Sequence, residues 1–533
     1  MARRSSGKGS AGRILLQHRA LAAAARRVDR ISSLPDDLLH LVLRRLDTRS
    51  ALGTGVLSRR WAHLPRELDA LDLRLADMLP PRYHRWVHLY NDACSKGTLR
   101  HAVRLQIVHS IRRYERRAMR AFASSTVTSF LEGPRRNVKK LRLEFVVTGN
   151  TGCVNAFVAE AMDAWGVEDL EVVAKSTFTR RDGIHLFPSH GLCEQPRVSC
   201  LRSLKLGGCT LPSLHEYSRL SVLILKGIPK STPAAAYEGI FTLCLQLQTL
   251  HLISCGCCTS RGVSLTVVVD SPSSQIRELV VDKCEFFRKL VLKALPCLES
   301  VASIQSRVSF ESTSSFPCLI QRNLTMGFAV GLLGVDWRLE LELDDMFFDC
   351  TPGIRSLVIR FTGPERWIAP STSPSEFLPN LRRLLVADVP SSWDVTWPRL
   401  LLEMAPNLEI LHIHIDVVHG VPADEDIPWS SARDRELRPL PRLKEFVVAG
   451  FEGTARQIYL VKLVVRACTA ALRLVAMFRN GHVRYRGHWD WEMVTPREHY
   501  SWSDEQKSSV LEQIKCGVPA SSATAPVVQV VLG

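Results

Sequence analysis

The segment LRSLKLGGCTL, which runs from Leu201 to Leu211, places leucine and cysteine at fixed intervals. Leu201, Leu204 and Leu206 are followed by Cys209 and Leu211. The two-residue step between Leu204 and Leu206 is the side-chain period of a β-strand, so both leucines point to the same side. The segment therefore predicts a short strand with one buried face, followed by a turn.

The same pattern recurs along most of the chain. Further copies start at Val138, Val167, Leu220, Leu247, Ile276, Leu298, Ile354, Leu381, Leu408 and Leu443. Most starts have the spacing of leucine-rich repeats, which is about 20–29 residues, and we expect the long gap after Leu298 to hide another copy, RLELELDD from Arg338. One copy cannot bury its leucines alone, so neighbouring copies must stack. The prediction is an α/β fold, an irregular leucine-rich-repeat solenoid with parallel strands.

The segment DRISSLPDDLLHLVLRRLDTRSALGTGVLSRRWAHL, from Asp29 to Leu64, predicts two or three short amphipathic helices. Pro35 suits a first helical turn, and Asp36 and Asp37 follow where the helix dipole favours negative charge. Apolar residues then recur at helical spacing. Because so small a module buries little surface by itself, part of this stripe should face a partner or the next domain. The alternative is an ordinary helical hairpin packed on the repeats.

After Leu443 the pattern changes to LKEFVVAGFEGTARQIYLVKLVVRACTAALRLVAMF. Thr454 and Gln457 form a capping box that should open a helix running to about Cys468. Alternating apolar residues then predict a strand; they are Leu472, Leu474, Ala476 and Phe478. Strand, helix and strand would form a C-terminal cap that closes the solenoid.

The formal charge of +16 is concentrated in two places. Residues 1–30 carry eight Lys/Arg and one acid, and residues 100–142 carry twelve Lys/Arg and two acids. Since the repeats lack this excess, a nucleic-acid groove is not expected, although nucleic-acid association through these two stretches is an alternative. No apolar run is long enough for a membrane span. A secretory signal is not expected, and an organellar transit peptide stays open because the N-terminus is basic with a single acid.

Other motifs have structural explanations. The GxGxxG of Gly7, Gly9 and Gly12 has no strand before it, so dinucleotide geometry is missing. Cys255 and Cys258 form one CxxC, but Cys255 occupies the cysteine position of the repeat, as a buried structural thiol would. The fifteen cysteines are scattered, and we expect them reduced.

Two further clusters carry alternative interpretations. His412 and His414 should lie on the solvent face of one strand and could share a metal, but no third ligand is nearby. Trp489, Trp491, Trp502 and Tyr500 could stack on bases, although packing within a C-terminal cap is preferred. No phosphate loop, HExxH or nucleophile–base pair is present in the sequence, so we predict neither an enzyme nor a cofactor or metal.

The stretch from Asp29 to Leu64 resembles the F-box of plant F-box proteins through DRIS-LPDDLL, LDTRSAL and VLSRRWAHL. LKEFVVAGFEGTARQIYLVKLVV, from Leu443, resembles the FBD region that ends many plant F-box/leucine-rich-repeat proteins. The resemblance implies an adaptor subunit of an SCF-type ubiquitin ligase in the nucleus and/or cytoplasm, with the F-box bound to a Skp-type adaptor on a cullin scaffold. The repeats would bind a protein substrate. A repeat scaffold without ligase function is the alternative.

By this resemblance, ten residues would form or support the adaptor-docking face. They are Leu34, Pro35, Leu38, Leu39, Val42, Leu43, Leu46, Val56, Leu57 and Trp61. The predicted domains are a basic disordered tail (1–28), the F-box (29–75), a helical linker (76–137), the repeats (138–440) and an FBD-like cap (441–533).

The substrate should bind on the concave side of the repeats. Within each L-x-L step the middle residue points away from the core. These residues are Lys205, Ile224, His251, Val280, Val358, Leu385, His412 and Val447. Because most are aliphatic, we predict a partly apolar substrate-binding face that includes Ile224, Val280, Val358 and Leu385. The alternative is that loops or the C-terminal segment fold over this face and bury it.

Overall fold

A computed structural model describes residues 34–532 with internal gaps. The gaps are 58–59, 62, 98–99, 134–135, 150, 181–182, 258–264, 285–286, 312–314, 327–340, 343–352, 363–367, 370–377, 392–398, 417–436, 469–470, 495–501 and 516–528. The GxGxxG motif, Cys258 and Tyr500 therefore lie outside the described residues. The chain divides into two compact units, 1–145 with 152–171, and 146–151 with 172–533.

The first unit begins with short helices and continues into a longer helical segment. Its elements are α1 (Asp36–Leu43), α2 (Thr48–Gly53), 3-10 turns at Thr54–Val56, Leu64–Glu67 and Leu75–Met78, β1 (Ala70–Arg74), α3 (Pro81–Ser95), α4 (His101–Ala121), a π-helical stretch (Phe122–Val127), α5 (Thr128–Leu131), β2 (Lys140–Val146) and α6 (Thr151–Asp163). β1 pairs in parallel with β2, which aligns Leu71 with Leu141. The segment from Leu68 to Leu73 is thus a repeat strand that the sequence analysis missed.

The strand β3 (Asp169–Lys175) follows, and the second unit then contains a long parallel sheet. Its described strands, in spatial order, are β4 (Ser203–Gly207), β5 (Val222–Lys226), β6 (Thr249–Ile253), β8 (Glu278–Asp282), β10 (Ser300–Ile304), β12 (Gln321–Met326), β14 (Ser356–Phe361), β16 (Arg383–Pro390), β17 (Ile410–Asp416), β18 (Glu445–Ala449), β19 (Leu474–Phe478) and β22 (Gln529–Leu532). The predicted α/β class with parallel strands is confirmed.

Smaller elements accompany this sheet. They are the parallel strands β7 (Leu265–Asp270), β9 (Phe287–Ala294) and β11 (Val308–Phe310), the pair β13 (Leu341–Glu342) and β15 (Ile368–Ala369), the antiparallel hairpin β20 (His482–Arg486) and β21 (Asp490–Val494), and the helices α7 (Ala234–Leu243), α8 (Arg399–Met404), α9 (Ala455–Ala467) and α10 (Asp504–Lys515).

The repeat leucines form a ladder across the long sheet. Directly paired positions are Leu204, Leu223, Leu250, Leu279, Val301, Arg322, Leu357, Leu384, Leu411, Phe446 and Val475. All of these side chains are buried. We call the side of the sheet that carries them the ladder face, and the side that carries the middle residues of the L-x-L steps the second face.

The turn after each strand also repeats. The residue before the cysteine position has a positive φ in five successive turns, at Gly208, Gly227, Ser254, Lys283 and Gln305. The cysteines are buried there and donate to the carbonyls of the preceding strand: Cys255 Sγ lies 3.4 Å from Leu225 O, and Cys284 Sγ lies 3.3 Å from Leu252 O. Burial raises the pKa of the Cys209 thiol to about 12. These contacts account for the cysteines as structural groups.

The expected hidden copy at Arg338 was misplaced. The strand between β10 and β14 is β12, in which Arg322 and Asn323 occupy positions that are apolar in other copies. The Arg322 guanidinium is buried over the Phe310 ring, 5.1 Å from its centroid. Of the segment from Arg338, the described Leu341–Glu342 pairs with β15 outside the long sheet. Arg322 on the ladder face and Asn323 on the second face hid the true copy from the sequence pattern.

The capping box that opens α9 is confirmed. The Thr454 hydroxyl accepts from Gln457 N at 3.4 Å, and Gln457 Oε1 accepts from Thr454 N. The helix ends at Ala467 and buries its apolar side in the same core as the ladder residues of β17, β18 and β19. The strand β22 then pairs with β19, so the sheet extends one strand beyond the predicted strand–helix–strand cap.

Candidate functional site

Helix α1 has one buried and one exposed apolar side. Leu39 and Leu43 are buried in the first unit, at 0% and 1% exposure. Leu38, by contrast, is 45% exposed, and Leu41, Val42 and Leu46 are also exposed. These four residues recur at three- and four-residue steps, so they lie along one side of the helical segment. Leu38, Val42 and Leu46 are among the predicted docking residues, whereas Leu41 was not predicted.

A second exposed apolar group follows α2. Val56 is 89% exposed and Leu57 is 69% exposed, which is unusual for two adjacent aliphatic residues in an ordered turn. Trp61, a few residues later, is buried and anchors the segment. Of the other predicted docking residues, Leu34 is half-buried and Pro35 is exposed. The ten predicted residues therefore divide into an outward set and an inward set formed by Leu39, Leu43 and Trp61.

Polar contacts fix these helices in place. The Arg60 guanidinium donates to Asp36 Oδ1 at 2.5 Å and to Leu34 O at 2.6 Å, which joins the segment after α2 to the start of α1. His40 Nε2 and Glu67 Oε2 lie 3.0 Å apart. Asp47 caps α2 by accepting from Ser50 N at 2.9 Å, and the Ser50 hydrogen bond lowers the pKa of the Asp47 carboxyl. These polar contacts thus fix the positions of the helices that carry the exposed apolar side chains.

The predicted substrate face of the sheet is covered where the strands are most apolar. Val280 and Leu385 are fully buried and Val358 is nearly so, whereas Ile224 is half-buried. The expectation of an exposed apolar face is therefore corrected at Val280, Val358 and Leu385. The alternative, in which the C-terminal segment folds over the face, describes the structure between β12 and β17.

The covering element is the hairpin of β20 and β21. The Trp491 side chain packs with Val358, Leu385 and Ala387 on the second face. The Arg383 guanidinium lies over the Trp491 ring, 4.5 Å from its centroid. At the tip, Asn323 Nδ2 donates to the His488 carbonyl at 2.5 Å. Sequence reasoning identified the tryptophan cluster but not the strands it covers.

The hairpin also contacts a polar chain on the second face. The Trp491 indole Nε1 donates to His412 Nδ1 at 2.8 Å, and His412 Nε2 lies 2.8 Å from Glu445 Oε1. Since Nδ1 accepts a hydrogen bond, Nε2 carries the proton and donates to the carboxylate. The hydrogen bond with His412 lowers the pKa of Glu445.

The two strand histidines are therefore engaged by protein groups instead of facing solvent as predicted. His414 Nδ1 lies 2.8 Å from Asp388 Oδ1, and His412 is buried beneath Trp491. Among the residues that the structure describes, no group of three or more His, Cys, Asp or Glu side chains could hold a metal ion.

A cleft of about 700 Å³ remains where the hairpin ends and the second face continues. The strand side contributes residues of β17, β18 and β19, and the hairpin contributes the other wall. The lining residues are His412, Glu445, Val447, Leu474, Ala476, Phe478, Arg486, Asp490, Trp491, Glu492 and Met493. The lining of this cleft mixes apolar and charged side chains.

The basic stretch of residues 100–142 forms a solvent-facing side of α4. Exposed arginines recur there at helical spacing, at Arg113, Arg116, Arg117 and Arg120. Glu115, the acid of this helix, is buried and accepts from the Tyr83 hydroxyl at 3.1 Å. The helix therefore presents positive charge to solvent while its inner side packs.

The first unit thus presents an exposed apolar helical surface, and the second unit contains the repeat sheet. Residues 31–69 match the F-box domain family. The predicted resemblance to plant F-box/leucine-rich-repeat proteins is confirmed, and the chain carries an F-box domain. F-box proteins are generally adaptor subunits, and not enzymes.

Two relatives from Arabidopsis thaliana are similar to this chain, one along most of its length and one over a short segment. A putative F-box/LRR-repeat protein is 23% identical over 465 residues, which covers 83% of this chain and 89% of the relative. An FBD-associated F-box protein is 41% identical over 58 residues, or 11% of this chain. That match spans only 13% of the relative's length, so it concerns a single region. Within the described parts of the chain, no helix is long and apolar enough to cross a membrane.

Proposed function

We propose that this protein is the substrate-recognition adaptor subunit of an SCF-type ubiquitin ligase in the nucleus or cytoplasm. Its F-box would bind a Skp-type adaptor on a cullin scaffold, and its repeats would bind a protein substrate. The ubiquitin-transfer chemistry would belong to other subunits. The F-box match over residues 31–69 supports the first role, and the repeat sheet supports the second.

The main structural support for adaptor binding is that α1 has one exposed and one buried apolar side. Leu38, Leu41 and Val42 are exposed on one side, and Leu46 is exposed just beyond the end of the helix, while Leu39 and Leu43 are buried on the other side. Full burial of one aliphatic side chain is worth roughly 1.5–3 kcal/mol, so a partner that covers several of them gains substantial affinity. Because Arg60 and Asp36 already brace the helix, little ordering should accompany binding.

We further propose that the repeats stack as a solenoid whose second face lies on the inner, concave side. Regular strand pairing and the recurring left-handed turns support this arrangement. Substrate would then contact the parts of that face that the hairpin leaves accessible. One such part includes Lys205 and Ile224, which are half-buried. The other is the cleft beside β18 and β19.

Adaptor binding can be tested with the full chain and a purified Skp-type adaptor. The double variant Leu38→Ala, Val42→Ala removes apolar contact without touching the buried side of α1. We expect affinity to fall about 30-fold or more, the effect of losing roughly 2 kcal/mol at a well-packed interface. Isothermal titration calorimetry gives the dissociation constant directly.

The matched control is Leu89→Ala, Leu105→Ala, which shortens two exposed leucines on α3 and α4 of the same unit. This control should bind the adaptor with wild-type affinity. Equal affinity of the docking variant and the control would refute the proposed role of α1. Wild-type protein that shows no adaptor binding would refute the ligase proposal itself.

A further inference from the structure

The cleft between the hairpin and the edge of the second face has an apolar floor. Val447 and Ala476 are buried at its base, and Phe478 and Leu474 are only half-buried. On the hairpin side, Trp491 and Met493 complete the apolar lining. A volume of about 700 Å³ is in the range of pockets that enclose small ligands or a few peptide residues.

Charged groups at the cleft are predominantly acidic. Glu445, Asp490 and Glu492 line it, against the single guanidinium of Arg486. Arg486 is already paired with Glu492 at 2.7 Å, and Arg383, which lies outside the lining, contacts Asp490 at 3.4 Å. The carboxylates therefore still exceed the cations when Arg383 is included. The lowered pKa of Glu445 keeps that carboxyl charged at neutral pH.

We propose that this cleft binds a short segment of the protein substrate in which a lysine or arginine lies next to an aliphatic or aromatic side chain. This inference rests on the proposed substrate-receptor function and specifies its partner. The apolar side chain would occupy the floor beside Phe478 and Ala476. The basic side chain would reach the carboxylates at the rim, where Glu492 can exchange its exposed Arg486 partner for the substrate cation.

Charge complementarity selects this occupant over an acidic one. An acidic or phosphorylated segment would place like charge against three carboxylates and would find one guanidinium that is already paired. Like charges facing each other across an interface are strongly unfavourable. A purely apolar segment would fill the floor but leave the acidic rim without a partner.

The test begins with a phage-displayed library of random short peptides, selected on the full-length protein. We expect recovered peptides to combine a basic residue with a neighbouring apolar residue. A fluorescein-labelled recovered peptide is then titrated against variants by fluorescence anisotropy. Glu492→Lys should weaken its binding about tenfold or more, because repulsion replaces attraction.

Two further variants sharpen the result. Arg486→Ala removes the one lining cation and should tighten binding severalfold, an effect that general damage to the fold would not produce. Glu311→Lys is the matched control, because Glu311 is also an exposed carboxylate in a surface ion pair, with Lys293 at 3.1 Å. It should leave peptide affinity unchanged. The denaturation midpoint of each variant shows whether it is folded.

Recovery of acidic or phosphate-mimicking peptides would overturn the proposal. So would equal affinities for Glu492→Lys and Glu311→Lys, or weaker binding by Arg486→Ala. The adaptor titration separates this proposal from the proposed function. Cleft variants should bind the Skp-type adaptor like the wild type, whereas a chain that binds the basic peptide but no adaptor would contradict only the ligase role.

Discussion

Two apolar surfaces of this protein differ in exposure. On the F-box, Val56 is 89% exposed and Leu38 is 45% exposed. On the second face of the repeat sheet, Leu385 is fully buried because Trp491 packs on it. Each surface was predicted from the sequence as a recognition surface. The exposure of an apolar surface therefore depends on what the rest of the chain places over it.

The physical reason for the difference is the size and shape of the two surfaces. Helix α1 is eight residues long and uses one side to anchor itself through Leu39 and Leu43. Its other side, with Leu38 and Val42, is not packed against the described residues of the first unit. The second face spans many paired strands, and Trp491 of the hairpin buries apolar area against it.

The largest loss of stability among these variants should come from Trp491→Ala. Removing a buried tryptophan should destabilise the second unit by about 3–5 kcal/mol, because packing on Val358 and Leu385 is lost. Trp491→Phe keeps much of the packing but loses the hydrogen bond to His412, and should cost about 1 kcal/mol. Urea denaturation measures both. A wild-type midpoint for Trp491→Ala would show that the hairpin does not cover the face.

A slightly smaller loss of stability should distinguish a substitution on the buried side of α1 from one on its exposed side. Leu39→Ala creates a cavity in the first unit and should cost roughly 2–5 kcal/mol. Leu38→Ala, one residue away, should change stability by less than about 0.5 kcal/mol. Thermal unfolding followed by circular dichroism compares them. Equal destabilisation by the two variants would mean that α1 has no free apolar side.

The smallest effect concerns the polar chain under the hairpin. Glu445 has a folded-state pKa below its ordinary 4.5, because it accepts the hydrogen bond from His412. Its contribution is therefore present above pH 4.5 and is lost as the pH falls through the folded-state value. Partial exposure keeps the contribution under about 1 kcal/mol.

The variant Glu445→Gln tests this predicted pH dependence of stability. The wild type should be the more stable protein near neutral pH, and the two unfolding free energies should converge in acid. A difference in unfolding free energy that stays constant from neutral to acidic pH would contradict a role for the charged carboxylate.

The sequence predicted the regular parts of the molecule well. Leu204, Leu223, Leu250 and Leu279 lie on paired strands because a two-residue period and a repeat length together determine both face and neighbour. The capping box at Thr454 was equally visible, since its two partners are close in sequence. β12 was not, because Arg322 and Asn323 interrupt the apolar pattern that reveals a strand.

The functional surfaces were predictable only in part. Helical spacing identified the stripe that contains Leu38 and Val42, but it could not say which side of the stripe would anchor the module. The cover over Val358 and Leu385 comes from Trp491, far along the chain, and no local pattern links these residues. The cleft was missed for the same reason, because it exists only where that distant hairpin meets β18 and β19.

Hydrogen–deuterium exchange of the full chain, with and without a Skp-type adaptor, shows whether the exposed side of α1 binds the adaptor. Amide exchange in Asp36–Leu43 should slow when the adaptor is added. Arg383–Pro390 should be protected in both samples, because its backbone is hydrogen-bonded to β14 and β17 and the hairpin covers its second face. Unchanged exchange in Asp36–Leu43 would contradict adaptor docking on α1, and fast exchange of Arg383–Pro390 in the free protein would contradict a covered, paired strand.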